Sequence, residues 1–189
     1  MTIDWARYVH ETNPLTTSLN GYLNQNERWK YLNVALGLGE KIVEVGIGCA
    51  LGLIYLATQG KEVVGVDFDR EVIVLAKQRT KQFNMEIPFV QANAKKLPFQ
   101  NRFFDVVLHE GLLEHFDHED RMNILREHFR IAEYVVVDVP TVKSWGGRPG
   151  PYDERLLTEN QWLEEWGAFS IETIWRRTFV SIGAVLKNK

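Results

Sequence analysis

The 189-residue sequence predicts a doubly wound α/β fold, and two patterns indicate it. From residue 41 onward, short segments rich in valine and isoleucine alternate with longer segments of helical periodicity, which is the order typical of a parallel sheet covered by helices. Most of the short segments are continuously apolar, as expected for strands buried on both faces. Because a chain of this length supports one substantial core, residues 1–189 are interpreted as a single domain.

Seven strands are expected along this sheet. Five come from the segments KIVEVG, EVVGVD, EIPFVQ, FFDVVLHE and EYVVVDVP. The last two, FSIETIWRRTF and FVSIGAVLK, follow one another closely and predict an antiparallel hairpin at the C-terminus. The expected sheet is therefore mostly parallel, with one antiparallel pair.

Helix signals lie between these strands. The segment REVIVLAKQRTKQF has apolar residues at helical spacing, Asp117 is placed to cap a second helix, and Thr158 with Gln161 forms a capping box for a third. Residues 1–40 are interpreted as a helical N-terminal cap ahead of a core at 41–189. Their segment around Tyr22, Trp29 and Leu32 predicts a helix that packs as a lid over the carboxyl edge of the sheet.

Composition excludes several classes of protein. The formal charge is -3, and the basic residues are scattered, which argues against a nucleic-acid partner. No apolar run approaches the ~18 residues that span a bilayer, and the first residues have no apolar core typical of a signal peptide. A single cysteine, Cys49, excludes an internal disulfide and suits a reducing compartment. A cytoplasmic protein without membrane contact is expected.

The segment IVEVGIGCALG, residues 42–52, predicts a nucleotide-binding loop after the first strand. Gly46 and Gly48 let a ligand approach the backbone. A dinucleotide fingerprint needs a third glycine where Leu51 stands, so the pattern argues against NAD. Asp67 ends the second strand, where a carboxylate can accept hydrogen bonds from both ribose hydroxyls.

Four motifs occur in one order: the acidic residue and glycines of EVGIG, the acid ending EVVGVD, then NAKKLPF, and LEH after the fourth strand. In this order they resemble the class I S-adenosylmethionine-dependent methyltransferases, in particular their small-molecule, methyltransferase type 11-like branch. The resemblance covers roughly residues 35 to 189 and implies a Rossmann-like fold. The sequence departs from the family at Ala50, where a glycine is frequent, and at Asn93, where an aspartate is frequent.

The resemblance implies S-adenosylmethionine as cofactor and S-adenosylhomocysteine as product. The cofactor contacts it implies, from the methionine end to the adenine, are Glu44, Gly46, Gly48, Asp67, Phe68, Asn93 and Ala94. His109 follows them at the carboxyl end of a central strand, where α/β sheets bind ligands, and is a further candidate. In one alternative, Asp69 contacts the ribose and Asp67 caps the next helix.

In-line methyl transfer depends mainly on alignment of the two reactants, and it needs a base only if the nucleophile arrives protonated. Candidate bases are His115, His109 and Glu110, together with His10 and Tyr22 from the lid. After the fifth strand, a loop contributes Trp145, Arg148 and Tyr152, which could enclose an aromatic or anionic substrate. The candidate substrate contacts are therefore His10, Tyr22, Trp145, Arg148 and Tyr152.

Other roles are weaker interpretations of the same residues. The acids and histidines of EHFDHED are explained by Asp117 as a helix cap with acids in the first turn, so no metal site is expected. Cys49 is interpreted as a packing residue.

A small metabolite is the expected acceptor because the Asn/Asp-Pro-Pro-aromatic and Pro-Cys motifs of other methyltransferase classes are absent. Its N, O, S or C nucleophile stays open, as does the oligomeric state, including a homodimer. Two other functions stay open: a non-catalytic subunit that holds S-adenosylmethionine, and a nicotinamide-dependent oxidoreductase.

Overall fold

The computed structural model describes residues 3–144, 146, 154–178 and 180–189, and these contain a seven-stranded sheet in the order β3-β2-β1-β4-β5-β7-β6. The strands are β1 Lys41–Val45, β2 Glu62–Asp67, β3 Phe89–Gln91, β4 Phe104–Glu110, β5 Ala132–Pro140, β6 Ser170–Arg177 and β7 Ser181–Lys187. β1 to β5 pair in parallel, whereas β7 is antiparallel to both β5 and β6. The predicted mostly parallel sheet with a C-terminal antiparallel hairpin is confirmed.

Seven α-helices surround this sheet in the described residues. They are α1 Trp5–Thr12, α2 Leu19–Asn24, α3 Trp29–Leu36, α4 Leu51–Thr58, α5 Arg70–Gln82, α6 His118–Ile131 and α7 Glu159–Trp166. The predicted caps are present, since Asp117 accepts a hydrogen bond from Asp120 N at 2.9 Å and Thr158 forms a reciprocal capping box with Gln161. Short 3₁₀ turns occupy Gln25–Glu27 and Leu113–His115.

The two faces of the sheet pack into two apolar clusters. On one face, Val43 and Val107 pack with residues of α6 and α7, including Trp162. On the other face, Ile42 and Val106 pack with residues of α1 to α5. Neighbouring residues of each central strand thus point to opposite faces, as the two-residue period of a strand requires. Successive side chains at the end of β4 therefore point to opposite faces of the sheet.

The N-terminal segment corrects one expectation, because it is not a continuous helix from Thr17 to Gly39. Asn26 and Glu27 have left-handed backbone angles, with φ of 51° and 56°, and these residues separate α2 from α3. Trp29, expected on the packed face, is 42% exposed. The turn places Arg28 beside Glu110, so an ion pair connects the segment to the sheet in addition to the buried Tyr31 and Leu32.

In the part of the chain that the structure describes, no helix combines the length and apolar character needed to cross a lipid bilayer.

Candidate functional site

A cavity of about 610 Å³ lies at the carboxyl ends of β1, β2, β4 and β5, where parallel α/β sheets bind ligands. Its volume lies within the range of ordinary small-molecule sites. The residues that line it form two walls of different character. The glycine-loop side comprises Glu44, Gly46 to Cys49, Asp67, Phe68, Asn93 and Ala94, and the arginine side comprises Arg28, Glu110, Glu114, Asp138 and Arg177.

The loop after β1 has a backbone that only glycine adopts without strain at two positions. Gly46 has φ of 78° and Gly48 has φ of 47°, both in the left-handed region. A Cβ built on Gly48 would meet no atom within 4 Å, so the space beside it is open. Ala50, where the family often has glycine, is also left-handed with φ of 57°, and α4 begins at the next residue. A ligand can therefore approach this backbone closely.

Glu44 lies beneath the loop and is only 4% exposed. Burial raises the pKa of its carboxyl, and the negative charges of Glu110 and Asp67 raise it further. Its Oε2 atom has no hydrogen-bond partner among the described residues. A buried carboxylate without a full set of partners is costly, so this side chain fits a bound ligand that brings a cation or a hydrogen-bond donor.

Asp67 and Asp69 occupy different environments at the end of β2. Asp67 is 7% exposed, lines the cavity, and has a pKa that burial raises to about 6. Asp69 caps α5 by accepting a hydrogen bond from Glu71 N at 2.8 Å, and it does not line the cavity. The geometry therefore favours Asp67 over the alternative ribose contact, Asp69.

The three residues expected at the adenine also line the cavity. Phe68 is 60% exposed, so much of its ring surface is available for stacking. Asn93 Oδ1 accepts a hydrogen bond from Lys95 N at 2.9 Å, so this oxygen already stabilises the turn after β3. Ala94 is buried beside it.

An ionic network forms the arginine side. Glu110 accepts hydrogen bonds from Arg28 Nε at 3.0 Å, from Arg177 Nη2 at 2.7 Å and from the Tyr31 hydroxyl at 3.0 Å. Arg177 Nε donates to Asp138 Oδ2 at 3.0 Å. The network joins the N-terminal segment, β4, β5 and β6, and it fixes their relative positions at the edge of the cavity.

This network limits what two predicted bases can do. Burial would raise the pKa of Glu110, but the charges of Arg177 and Arg28 lower it, so the carboxylate stays ionised and its oxygens are occupied. The Tyr22 hydroxyl lies 3.0 Å from that of Tyr31, and its pKa is raised, first by burial and then by Glu110. Both residues line the cavity, but the geometry favours positioning roles for them over proton transfer.

Glu114 and His115 lie in the 3₁₀ turn after β4 and line the cavity. The His115 ring packs edge-on against Trp5 of α1, with ring centroids 4.8 Å apart. Glu114 is 3% exposed, and burial raises its pKa to about 8, with Glu154 adding to the shift. His115 Nε2 lies 3.9 Å from Glu114 Oε1. A carboxyl group with such a pKa can exchange a proton near neutral pH.

Two predicted site residues lie elsewhere, which corrects the sequence analysis. His109 is fully buried and packs against His128 of α6 with ring centroids 5.3 Å apart, so it faces the core rather than the cavity. The strand period explains this, because Glu110 takes the cavity face and His109 must then take the other. His10 is on an exposed part of α1 and does not line the cavity.

Three further predicted contacts, Trp145, Arg148 and Tyr152, lie outside the described residues. Among the residues that are described, no group of three or more His, Cys, Asp or Glu side chains is arranged to hold a metal. Cys49 lines the cavity but is 8% exposed, and burial raises the pKa of its thiol to about 11, which fits packing rather than nucleophilic chemistry.

Sequence reasoning missed four residues of the arginine side. Arg28, Asp138 and Arg177 carry no local motif, and only the folded chain brings them together. Glu114 does have a sequence signal, because it is the middle residue of the LEH motif, next to the candidate base His115.

Comparisons with known proteins agree with this geometry. Residues 42–133 match the model of a methyltransferase domain family. Among curated proteins, the chain is 30% identical over 108 residues to an uncharacterized protein of Haemophilus influenzae, covering 56% of this chain and 43% of that protein. It is 27% identical over 119 residues to a ubiquinone biosynthesis O-methyltransferase of Aliivibrio fischeri, covering 62% of this chain and 46% of that protein. The chain thus spans less than half the length of these relatives.

Solved structures show the same fold. A protein from Pyrococcus horikoshii OT3 superposes with a TM-score of 0.80 at 19% identity, covering 96% of this chain and 99% of that one. An S-adenosylmethionine-dependent methyltransferase from Aquifex aeolicus superposes with a TM-score of 0.71 at 15% identity, covering 98% of both chains. Residues 42–133 are thus similar to a methyltransferase domain, and the solved structures share the fold of nearly the whole chain.

Proposed function

We propose that the chain binds S-adenosylmethionine and transfers its methyl group to a small-molecule acceptor, releasing S-adenosylhomocysteine. One observation carries the proposal: Glu44 and Asp67 lie on either side of a left-handed glycine loop, in one wall of a cavity that continues to a second polar wall. The relatives support the acceptor class, since those named include a ubiquinone biosynthesis O-methyltransferase and a demethylmenaquinone methyltransferase.

The residues of the glycine-loop side fit the parts of this cofactor. The unpartnered Glu44 oxygen suits the ammonium of the methionine end, and Asp67 suits the two ribose hydroxyls. Phe68 offers an apolar surface for the adenine, with Asn93 and Ala94 at its edge. Gly46 and Gly48 leave the loop backbone accessible.

When bound, S-adenosylmethionine supplies a methyl group on a positively charged sulfur. The chain's own contribution is alignment, because holding two reactants in line can lower a barrier by about 7–11 kcal/mol without a covalent residue. Residues 1–40 act as a cap in this proposal. Trp5, Tyr8 and Val9 of α1 line the cavity, and their apolar surface excludes water from the transfer.

Calorimetry and a transfer assay test the proposal. S-adenosylmethionine and S-adenosylhomocysteine should bind to the protein, and NAD should not, because Leu51 replaces the third glycine of a dinucleotide loop. Methyl-labelled cofactor incubated with the protein and a metabolite extract should then yield a labelled product. Binding of NAD alone would indicate an oxidoreductase, and cofactor binding without any labelled product would indicate a non-catalytic subunit.

A further inference from the structure

Charge is distributed unequally around the cavity. In the part of the chain that the structure describes, six carboxylates and two arginines line it. Both arginines are engaged, Arg28 with Glu110 and Arg177 with Glu110 and Asp138. Glu44 and Asp67 belong to the proposed cofactor contacts. Two lining carboxyl groups remain outside the arginine ion pairs and the cofactor contacts, Glu114 and Glu154, and Glu114 is the more buried of the two.

Glu114 has the features of a ligand contact. It is 3% exposed and lines the cavity, and its Oε2 atom has no hydrogen-bond partner among the described residues. Among the described residues, Glu154, Glu110 and Asp138 place negative charge near it, and His115 Nε2 lies 3.9 Å from its Oε1. Burying a carboxylate among other carboxylates is unfavourable unless a cation or a donor completes the site.

We propose that Glu114 binds the methyl acceptor, and that this acceptor presents its nucleophile as an amine. The inference rests on the proposed function and specifies the substrate class of the same cavity. A bound ammonium group would neutralise the negative charge of Glu114 and donate a hydrogen bond to its Oε2 atom. A carboxylate or phosphate at this position would be repelled.

The step balances with the residues present. The ammonium donates one proton to the Glu114 carboxylate and becomes a neutral amine with a free electron pair. That pair forms the new N–C bond while the C–S bond breaks, and the sulfur keeps the electrons of the broken bond. The positive charge thus moves from sulfur to the methylated nitrogen, and Glu114 holds the proton until it is lost to solvent. Burial raises the pKa of Glu114 to about 8, so most of this carboxyl is protonated at pH 7 in the empty site. A bound ammonium lowers that pKa and thereby gives the carboxylate that accepts the proton.

The acceptor class is tested by fractionating a metabolite extract on a cation exchanger and an anion exchanger near neutral pH. Each fraction is incubated with the protein and methyl-labelled S-adenosylmethionine. We expect the label in products of the fraction that the cation exchanger retains. Label only in neutral or anionic compounds would overturn the inference while leaving the proposed transferase function intact. No label in any fraction, with cofactor bound in calorimetry, would refute both.

The role of Glu114 is tested on the active fraction with Glu114→Gln and the matched control Glu119→Gln. Glu119 is an exposed carboxylate in the first turn of α6 and does not line the cavity. Glu114→Gln should lower kcat/KM by about a hundredfold or more and leave the Kd for S-adenosylhomocysteine within threefold. Glu119→Gln should leave both unchanged. Undiminished turnover in Glu114→Gln, or activity that disappears when a chelator removes divalent cations, would overturn the inference.

Discussion

On the glycine-loop side of the cavity, Glu44, Gly46, Gly48 and Asp67 come from one β-α-β unit within residues 41–67. On the arginine side, Arg28 and Arg177 reach Glu110 across 82 and 67 positions of sequence. The first wall is local, because each residue is positioned by the strand or loop beside it. The second is non-local, because its geometry exists only when distant segments are packed. Mutations on the glycine-loop side should therefore lower cofactor affinity. Mutations in the ionic network of the arginine side should lower stability.

The largest expected effect comes from Glu110→Ala. Removing this carboxylate leaves Arg28 and Arg177 largely buried without their shared partner, so the free energy of unfolding should fall by about 3 kcal/mol. Chemical denaturation measures it. Glu62→Ala is the control, because Glu62 is 74% exposed in a 3.8 Å ion pair with Lys41 and should cost less than about 1 kcal/mol. Equal losses in the two variants would refute the distinction between the two walls.

Asp67→Ala tests the glycine-loop side of the cavity. It removes a charged acceptor for two hydroxyls, so affinity for S-adenosylhomocysteine should fall by about 1.5–3 kcal/mol, which is roughly ten- to a hundredfold. Titration calorimetry measures the change. Asp69→Ala, which removes the α5 cap instead, should lower stability but leave affinity nearly unchanged. The opposite result would show that the ribose contact is Asp69.

Lowering the pH should destabilise the protein because His109 and His128 are buried in its core. Burial lowers the pKa of His109 well below 6.5 and that of His128 to about 3, so both are neutral in the folded protein. In the unfolded chain they gain protons below about pH 6.5, so the free energy of unfolding falls as pH decreases through that value. At about pH 5.5 each histidine should cost about 1.4 kcal/mol of stability.

Denaturation of His128→Leu near pH 7.5 and pH 5.5 checks this expectation, with the exposed His10→Gln as control. The loss of stability on acidification should shrink by about 1.4 kcal/mol in His128→Leu alone. Cofactor affinity should not change in either variant, since neither residue lines the cavity. A change of affinity in His128→Leu would contradict the assignment of this pair to the core.

The smallest effect is expected at Thr158, which caps α7. Thr158→Ala removes the hydroxyl that accepts a hydrogen bond from Gln161 N, and stability should fall by about 1 kcal/mol. Thermal denaturation measures it, and Thr158→Ser, which keeps the hydroxyl, should restore most of the loss. If Thr158→Ala also weakened cofactor binding, the glycine-loop side would not be independent of this helix.

The contrast between local and non-local contacts also explains which features the sequence could predict. The strands, the C-terminal hairpin, the caps at Asp117 and Thr158 and the glycine loop depend on neighbouring residues, and pattern is enough to find them. His109 was misplaced because a continuously apolar strand gives no sign of which residue faces the ligand. The N-terminal segment was predicted as one helix because nothing local predicts left-handed angles at Asn26 and Glu27. The contacts that accompany that turn involve Glu110 and Thr178, far along the chain.

Segments that are far apart in sequence meet on the arginine side, and this affects the order in which the cavity forms. Glu27 accepts hydrogen bonds from Thr178, 151 positions away, and Arg177 belongs to β6, near the end of the chain. Contacts of such long sequence separation carry a large loop-closure cost and form late. On a ribosome, residues 41–67 emerge long before residue 177, so the glycine loop can form while the arginine side still lacks Arg177. The nascent chain should therefore form the proposed cofactor contacts before it completes the proposed acceptor wall.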